Sequence, residues 1–399
     1  MSDIVHSLAL ATPGGSRPLA TAVLRRALRQ LRYGRLVFAL PGGERLEQRG
    51  PHPGPDAVME IHDSRLALAL LLRGSDGLDE SYIAGAWSSP DLPALLTLLA
   101  VNFAATPAPG LLAAPLRLLA RLHHAANANT RAGARRNIMA HYDLGNEFYA
   151  AWLDSSMLYS SALYTAPDDT LEAAQAHKLA RITRWLDVPE GGSVLEIGCG
   201  WGALAARLGG MGAHVTGLTL SPAQLAHAQT VAGDNVTLAL RDYRDESGTY
   251  DRIVSVEMLE AVGEAYWPGY FETLRARLKP GGRAVLQVIT IAAEQYDGYR
   301  RAPDFIQRHI FPGGMLPTKA VITSLARRAG LEPGRVFHFG SSYARTLADW
   351  RMRFVAAWPR LTALGFDARF RRLWDYYLAY CEAGFAAGYI DVGLYELRG

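Results

Sequence analysis

Cysteine is almost missing from this chain: Cys199 and Cys381 are the only two in 399 residues. Two cysteines are too few for a disulfide framework or a cysteine-based metal site, so a reducing cytosol is the expected setting. Lysine is nearly absent as well, with Lys178, Lys279 and Lys319 set against an otherwise all-arginine basic complement. Arginine suits bidentate phosphate contacts, but a GC-rich coding sequence is the larger part of the explanation. No excess of one charge exists: 41 Lys+Arg against 38 Asp+Glu leave a net charge of +3, which offers nucleic acid no footprint. His123, His124, His177 and His309 fall at no metal-ligand spacing, so no metal is expected. No basic, apolar and small-residue leader is present, so secretion is not expected. A long uninterrupted apolar run is also lacking. Leu92–Leu116 carries no charge, yet Pro93, Pro107, Pro109, Gly110 and Pro115 break it, and a spanning helix would leave the freed backbone groups in lipid. That stretch reads as a buried helix followed by a Pro-rich linker, with a shallow membrane-dipping segment as the alternative. No internal repeat is present, and 49% hydrophobic with 20% charged residues excludes a disordered chain.

What is present divides into two domains: a smaller N-terminal α+β domain over residues 1–125 and a larger α/β domain over 126–399. Residues 1–17 read as a loose tail. Beyond it Val23, Leu24, Ala27, Leu28 and Leu31 share one helical face, with Arg25, Arg26, Arg29 and Arg32 opposite. Such a helix either lies on anionic lipid or packs on its own domain. Residues 35–70 follow as short strands around a Pro-Gly-Gly turn, then helix over 76–103, and residues 117–136 form a basic connector. From residue 178 strands and helices alternate. The strands are 193–197, 214–219, 236–240, 252–256 and 283–290, with helices over 201–208, 222–231 and 266–278. Five apolar strands separated by helices predict a doubly wound, Rossmann-like sheet, with ligands at the strand carboxyl ends.

Glu196-Ile-Gly-Cys-Gly-Trp-Gly202 sits at the first strand-to-helix turn. Gly198, Gly200 and Gly202 let backbone approach a ligand closely, and the helix start supplies free N–H donors. The second strand ends in Thr219-Leu-Ser221 rather than a carboxylate, so the ribose partner of a dinucleotide site is missing. Asp242 and Tyr243 follow the third strand as an acid and an aromatic able to hold an adenine ring. Glu257 and Glu260 follow the fourth. Either one caps the next helix or serves as a catalytic carboxylate. Trp350, Phe354 and Trp358 share a helical face, as do Tyr377, Cys381 and Phe385. Such stripes are either ordinary core or the wall of an acyl-chain tunnel.

The glycine loop, His141–Tyr149, Met157-Leu-Tyr-Ser-Ser-Ala162, Glu260-Ala-Val-Gly263, Leu278-Lys-Pro-Gly-Gly282, Ile310-Phe-Pro-Gly-Gly314 and Ile390-Asp-Val-Gly393 together resemble the cyclopropane-fatty-acid synthase family. The resemblance spans roughly residues 137–399, and the N-terminal region more loosely. It implies transfer of one carbon from S-adenosylmethionine to cis double bonds in acyl chains of membrane phospholipids. By the same resemblance Tyr142, Tyr159, Ser160, Gly198, Cys199, Gly200, Thr219, Gln224, Asp242 and Tyr243 bind the cofactor, and Phe305 and Phe311 face the substrate. It further implies a bicarbonate ion as base, held here by Glu260, Tyr343, Ser161 and Gln287. The last two stand where the family has Cys and His, and Ala261 stands where it has a further His. Ser and Gln donate hydrogen bonds to an anion but supply no imidazolium. Bicarbonate binding and ring closure are thus both in question, and glutamate 260 is the favoured catalytic carboxylate because it alone matches the family. Cyclopropane formation and methylation without ring closure both stay open, and a noncatalytic lipid-binding role is disfavoured by the intact glycine loop. The Asn-Pro-Pro-Tyr loop of amino methyltransferases is absent. The expected setting is cytoplasmic, peripheral at the inner membrane surface, with unsaturated phospholipid as the partner, no nucleic acid, and a homodimer left open.

Overall fold

The computed structural model describes residues 17–103 and 144–399, so Tyr142, the linker beyond residue 103 and the 117–136 connector lie outside it. The chain divides into two compact units, residues 1–118 with 367–383, and residues 119–366 with 384–399. The expected boundary near residue 125 lies outside the described residues, and one C-terminal helical segment counts with the first unit. Its amphipathic period looks the same whichever core it joins.

The first unit holds a four-stranded sheet in the order β2-β1-β3-β4, with β1 Tyr33–Ala39, β2 Arg45–Arg49, β3 His52–Ile61 and β4 Trp87–Ser88. Strand β1 runs parallel to β3 and antiparallel to β2. Leu24, Leu28 and Leu31 are buried while Arg25, Arg26, Arg29 and Arg32 are exposed, as the periodicity demands. The helix Leu92–Phe103 packs on β3 and β1 and buries Leu92, Leu95, Leu96 and Leu98. Near its end Asn102 uses both halves of its amide. Its Oδ1 accepts from the Arg32 and Tyr33 N–H groups at 2.7 and 2.9 Å, and its Nδ2 donates to the Tyr33 and Leu98 carbonyls at 3.1 and 2.8 Å. In the C-terminal segment of this unit Asp375 accepts from the Tyr82 hydroxyl at 2.7 Å.

The second unit is built on a seven-stranded sheet in the order β10-β11-β9-β8-β5-β6-β7. Five strands are parallel: β5 Ser193–Ile197, β6 His214–Thr219, β7 Val236–Leu240, β8 Tyr250–Val256 and β9 Leu278–Ile291. Their interiors read as continuous apolar runs because helices cover both faces. Two strands go beyond the five expected, β10 Glu332–His338 and β11 Ile390–Arg398, and both pair antiparallel. The first is a largely exposed edge containing Pro333 and Gly334, which no apolar alternation would flag.

Strand order reverses at β5 and β8, where a crevice opens beyond the carboxyl ends. Register aligns Ile197 with Ser255 and Val256 with Gln287, so the ends of β5, β8 and β9 lie side by side. Among the described residues no helix is long and apolar enough to cross a membrane, and no His, Cys, Asp and Glu group is placed to hold a metal.

Removing the Asn102 amide takes the side-chain partner from the Arg32 and Tyr33 N–H groups and from the Tyr33 and Leu98 carbonyls, all at or near the surface. Asn102→Ala is expected to destabilise the first unit by about 1 kcal/mol, read as faster hydrogen exchange at the Arg32 and Tyr33 amides. Unchanged protection there would contradict this role.

Candidate active site

The glycine turn after β5 forms the floor of the crevice. Gly198, Gly200 and Gly202 all have positive φ, at 81°, 51° and 91°. The Gly198 and Cys199 N–H groups both donate to the Leu218 carbonyl at 2.9 Å, which ties the turn to β6. A Cβ at Gly198 would sit 2.4 Å from Cγ of Met258, whereas one at Gly200 would meet nothing within 4 Å. The cradle is thus closed by a side chain at its first glycine and open at its second. Glu196, buried on β5 just before the turn, has an Oε2 without a hydrogen-bond partner among the described residues, and burial pushes its carboxyl up to about 8.

The pocket is lined by Tyr159, Ser160, Gly198, Cys199, Gly200, Thr219, Gln224 and Tyr243, eight of the ten expected cofactor residues. Thr219 and Gln224 bond to each other, Oγ1 to Oε1 at 2.9 Å, while Ser221 performs the helix cap by accepting from the Gln224 N–H. Capping therefore does not explain the first two. Asp242 is placed differently from expectation. Its carboxylate is held by the Arg244 guanidinium at 2.8 and 2.6 Å and caps the short turn Tyr243–Asp245, outside the pocket lining. Arg241 lines the pocket instead. Tyr142 lies outside the described residues. Phe305 and Phe311 are not on the lining either. Their segment is tied to the site through Met315, whose N–H donates to the Glu260 carbonyl at 2.9 Å.

Beside this pocket, at the end of β8, lies a carboxylate cluster centred on Glu257. Its Oε1 accepts from the Ser161 N–H at 2.9 Å and the Gln287 Nε2 at 2.7 Å, and its Oε2 accepts from the Tyr343 hydroxyl at 2.7 Å. Burial pushes the Glu257 carboxyl above its ordinary range, and the hydrogen bonds from Tyr343, Ser161 and Gln287 pull it back toward ionisation. The backbone of Glu257 is left-handed at φ 51°, a conformation that disfavours residues with a Cβ by about 1–2 kcal/mol. Its N–H donates to the Gln287 carbonyl at 2.8 Å. Residues 161–164 are fixed to the helix Gly340–Ala356 that carries Tyr343, because Thr346 Oγ1 and Ser342 Oγ accept from the Ala162 and Tyr164 N–H groups.

Glu260, the carboxylate favoured from sequence, occupies a different position. Its Oε1 accepts from the Ile289 N–H, its Oε2 is buried with no partner among the described residues, and desolvation with repulsion from Glu257 raises it to about 8. Ser161, Gln287 and Tyr343 converge on Glu257 instead. The donor set that the resemblance offers to a bicarbonate is thus taken by a carboxylate of the chain itself, and a separate bicarbonate does not fit this arrangement. Around the cluster stand aromatic rings. Tyr343 lies 4.5 Å from Phe385 and 6.1 Å from Trp350, and Trp350 lies 5.3 Å from Tyr159 (centroid distances).

The residue that sequence reasoning left without a role is Lys178. It is fully buried on the helix Leu171–Leu186, lines the same pocket and donates from Nζ to Ser160 Oγ at 2.7 Å. The signal for it was present in the pattern: Lys178 falls on the apolar face with Leu171, Ala174 and Ile182.

A family model described as mycolic acid cyclopropane synthetase matches residues 129–394. The chain is 40% identical over 390 residues to tuberculostearic acid methyltransferase UfaA1 of Mycobacterium tuberculosis, covering 94% of this chain and 90% of that protein. It is 36% identical over 337 residues to the cyclopropane-fatty-acyl-phospholipid synthase of Escherichia coli, covering 82% and 84%. The crystal structure of mycolic acid cyclopropane synthase CmaA1 complexed with SAH and CTAB superposes with a TM-score of 0.63 at 30% identity, covering 66% of this chain and 98% of that one. These findings make S-adenosylmethionine the cofactor of the chain.

Gly198→Ala places a methyl group against Met258 in a backbone conformation already unfavourable for alanine. The expected result is a loss of about tenfold or more in S-adenosylhomocysteine affinity by calorimetry, partly recovered in Gly198→Ala/Met258→Ala. Full affinity in the single variant would show that the turn does not form the cofactor floor.

Proposed function

The chain belongs to the mycolic acid cyclopropane synthetase family of S-adenosylmethionine-dependent methyltransferases, and from that premise we propose that it methylates the cis double bond of an unsaturated acyl chain in a membrane phospholipid, with Glu257 as the proton-accepting base. The observation that carries this reading is the Glu257 carboxylate, held by Ser161, Gln287 and Tyr343 beside the cofactor pocket.

When bound, S-adenosylmethionine supplies an electrophilic methyl group. An alkene is a weak nucleophile, so the pocket must hold the two in line and close together. Methyl addition leaves a cation on the adjoining acyl carbon. The rings of Tyr159, Tyr343, Trp350 and Phe385 stabilise positive charge through their faces and keep water away. Glu257 then accepts a proton, and the electrons of that C–H bond form the new carbon–carbon bond. If the proton leaves a chain carbon next to the cation, they form a double bond within a methyl-branched chain; if a hydride first shifts from the methyl-bearing carbon to the cationic one, loss of a methyl proton leaves a methylene-bearing chain. If the electrons close onto the cationic carbon, the product is a cyclopropane.

The open-chain product is the leading reading. Gln287 and Ser161 supply no imidazolium or thiol around the base, and the relative matching 94% of the chain is named a methyltransferase. Ring closure is supported by the likeness to cyclopropane synthases.

For the substrate, the exposed Arg26, Arg29 and Arg32 of the first unit support docking on anionic lipid at the inner membrane surface. Arg25 contributes less to such a face, since Glu44 pairs with it at 3.5 Å. Charge reversal at Arg26 and Arg29 is expected to weaken binding to anionic vesicles roughly fivefold per site. Binding that is unchanged, or insensitive to salt in the parent protein, would remove the lipid-docking assignment.

Labelling with methyl-labelled S-adenosylmethionine on cis-monounsaturated phospholipid, read by mass spectrometry, tests the chemistry. The labelled lipid is expected to be ring-free. Glu257→Gln is expected to lower turnover by roughly 10²–10⁴ while cofactor affinity is retained. A base must be ionised, so kcat/KM should rise with pH through the raised Glu257 pKa, with its acid limb above the usual carboxylate range. A labelled cyclopropane would replace the open-chain reading, and full turnover in Glu257→Gln would remove Glu257 as the base.

A further inference from the structure

Lys178 is the most heavily buried cation among the described residues, and nothing in the methylation chemistry above employs it. An ammonium inside a protein requires a counter-charge. Among the described residues its one hydrogen bond goes to Ser160 Oγ, a neutral acceptor. An ammonium has three donors, so two remain without an acceptor among the described residues. The carboxylates whose fields reach it do not fill that need. Both Glu257 oxygens are taken by Ser161, Gln287 and Tyr343. Asp154 turns Oδ2 to the Ser156 N–H and hydroxyl, and its buried Oδ1 makes no hydrogen bond in the described structure. Desolvation lowers the Lys178 pKa to about 8, against the pull of Glu257 and Asp154.

Lys178 lines the cofactor pocket together with Ser160, Gly198 and Gly200. Glu196 lines it too, with one carboxyl oxygen unmatched. A buried basic group and a buried acidic group with spare hydrogen-bonding capacity in one pocket match a zwitterion. The amino-acid portion of the cofactor is such a group, with an α-carboxylate and an α-ammonium. Its sulfonium would be repelled by Lys178, so the carboxylate is the part that the lysine attracts.

We infer that Lys178 is a cofactor-binding residue that receives the α-carboxylate of the methionine portion of S-adenosylmethionine, with Ser160 held beside it as a second donor. The cofactor then completes the hydrogen bonding of the lysine.

The test is calorimetric titration of the full chain with three ligands: S-adenosylhomocysteine, its decarboxylated analogue and 5′-methylthioadenosine, which lacks the amino-acid portion. In the parent protein, loss of the carboxylate alone should weaken binding by about thirtyfold or more, since it unpairs a buried charge. Lys178→Met should weaken S-adenosylhomocysteine by a similar factor, leave methylthioadenosine within about twofold, and abolish discrimination between S-adenosylhomocysteine and the decarboxylated analogue. Parallel loss of all three ligands in Lys178→Met would assign the lysine to pocket shape and overturn the inference. Equal affinity of the parent protein for the carboxylated and decarboxylated ligands would overturn it without any variant.

Discussion

The active site depends on one buried carboxylate and the three donors that hold it. Glu257 sits at the end of β8 in a left-handed conformation, and its oxygens meet an N–H from the 161–164 segment, an amide from β9 and a hydroxyl from the helix Gly340–Ala356. Each donor comes from a separate element, so the arrangement requires the β8–β9 register, the tether from Thr346 to Ala162, and the seating of that helix at once. An isolated carboxylate would not remain charged in such a place. Three donors favour its ionised form, as the base role proposed for it requires.

Three ionisable groups share this interior, and their surroundings separate their roles. Glu260, with one backbone donor and a neighbouring carboxylate, is driven toward the protonated form at neutral pH. Glu257 is also raised by burial, but its three donors pull it back toward the ionised form. Lys178 keeps its charge only as far as nearby anions support it. Environments that push neighbouring groups apart in this way are how a site assigns acid, base and binding functions. The aromatic rings around Tyr343 and Trp350 add an apolar wall in which these differences are not averaged out by water.

Much of this was legible in the sequence. The five parallel strands followed from apolar runs of five to eight residues alternating with helices, and the glycine turn after β5 from Glu196–Gly202. The sequence reading grouped Ser161, Gln287 and Tyr343 with Glu260, whereas the carboxylate they hydrogen-bond is Glu257. Both glutamates follow the same strand, and spacing alone does not show which one enters the donor set. That depends on the left-handed turn at Glu257, which for a non-glycine residue has no local signature. Asp242 was read as facing the adenine, whereas Arg244, two residues on, claims its carboxylate. The β10 edge strand escaped because an exposed strand with Pro333 and Gly334 carries neither an apolar run nor alternation.

The central claim is that the chain carries its own anion where the family resemblance implies a dissolved one. Turnover of the purified protein on unsaturated phospholipid in buffer stripped of carbon dioxide and bicarbonate tests it most directly. With Glu257 as the base, the rate is unchanged by stripping and by restoring bicarbonate. A rate that collapses on stripping and returns with added bicarbonate would contradict the account, since it would require an ion where the Glu257 carboxylate is placed.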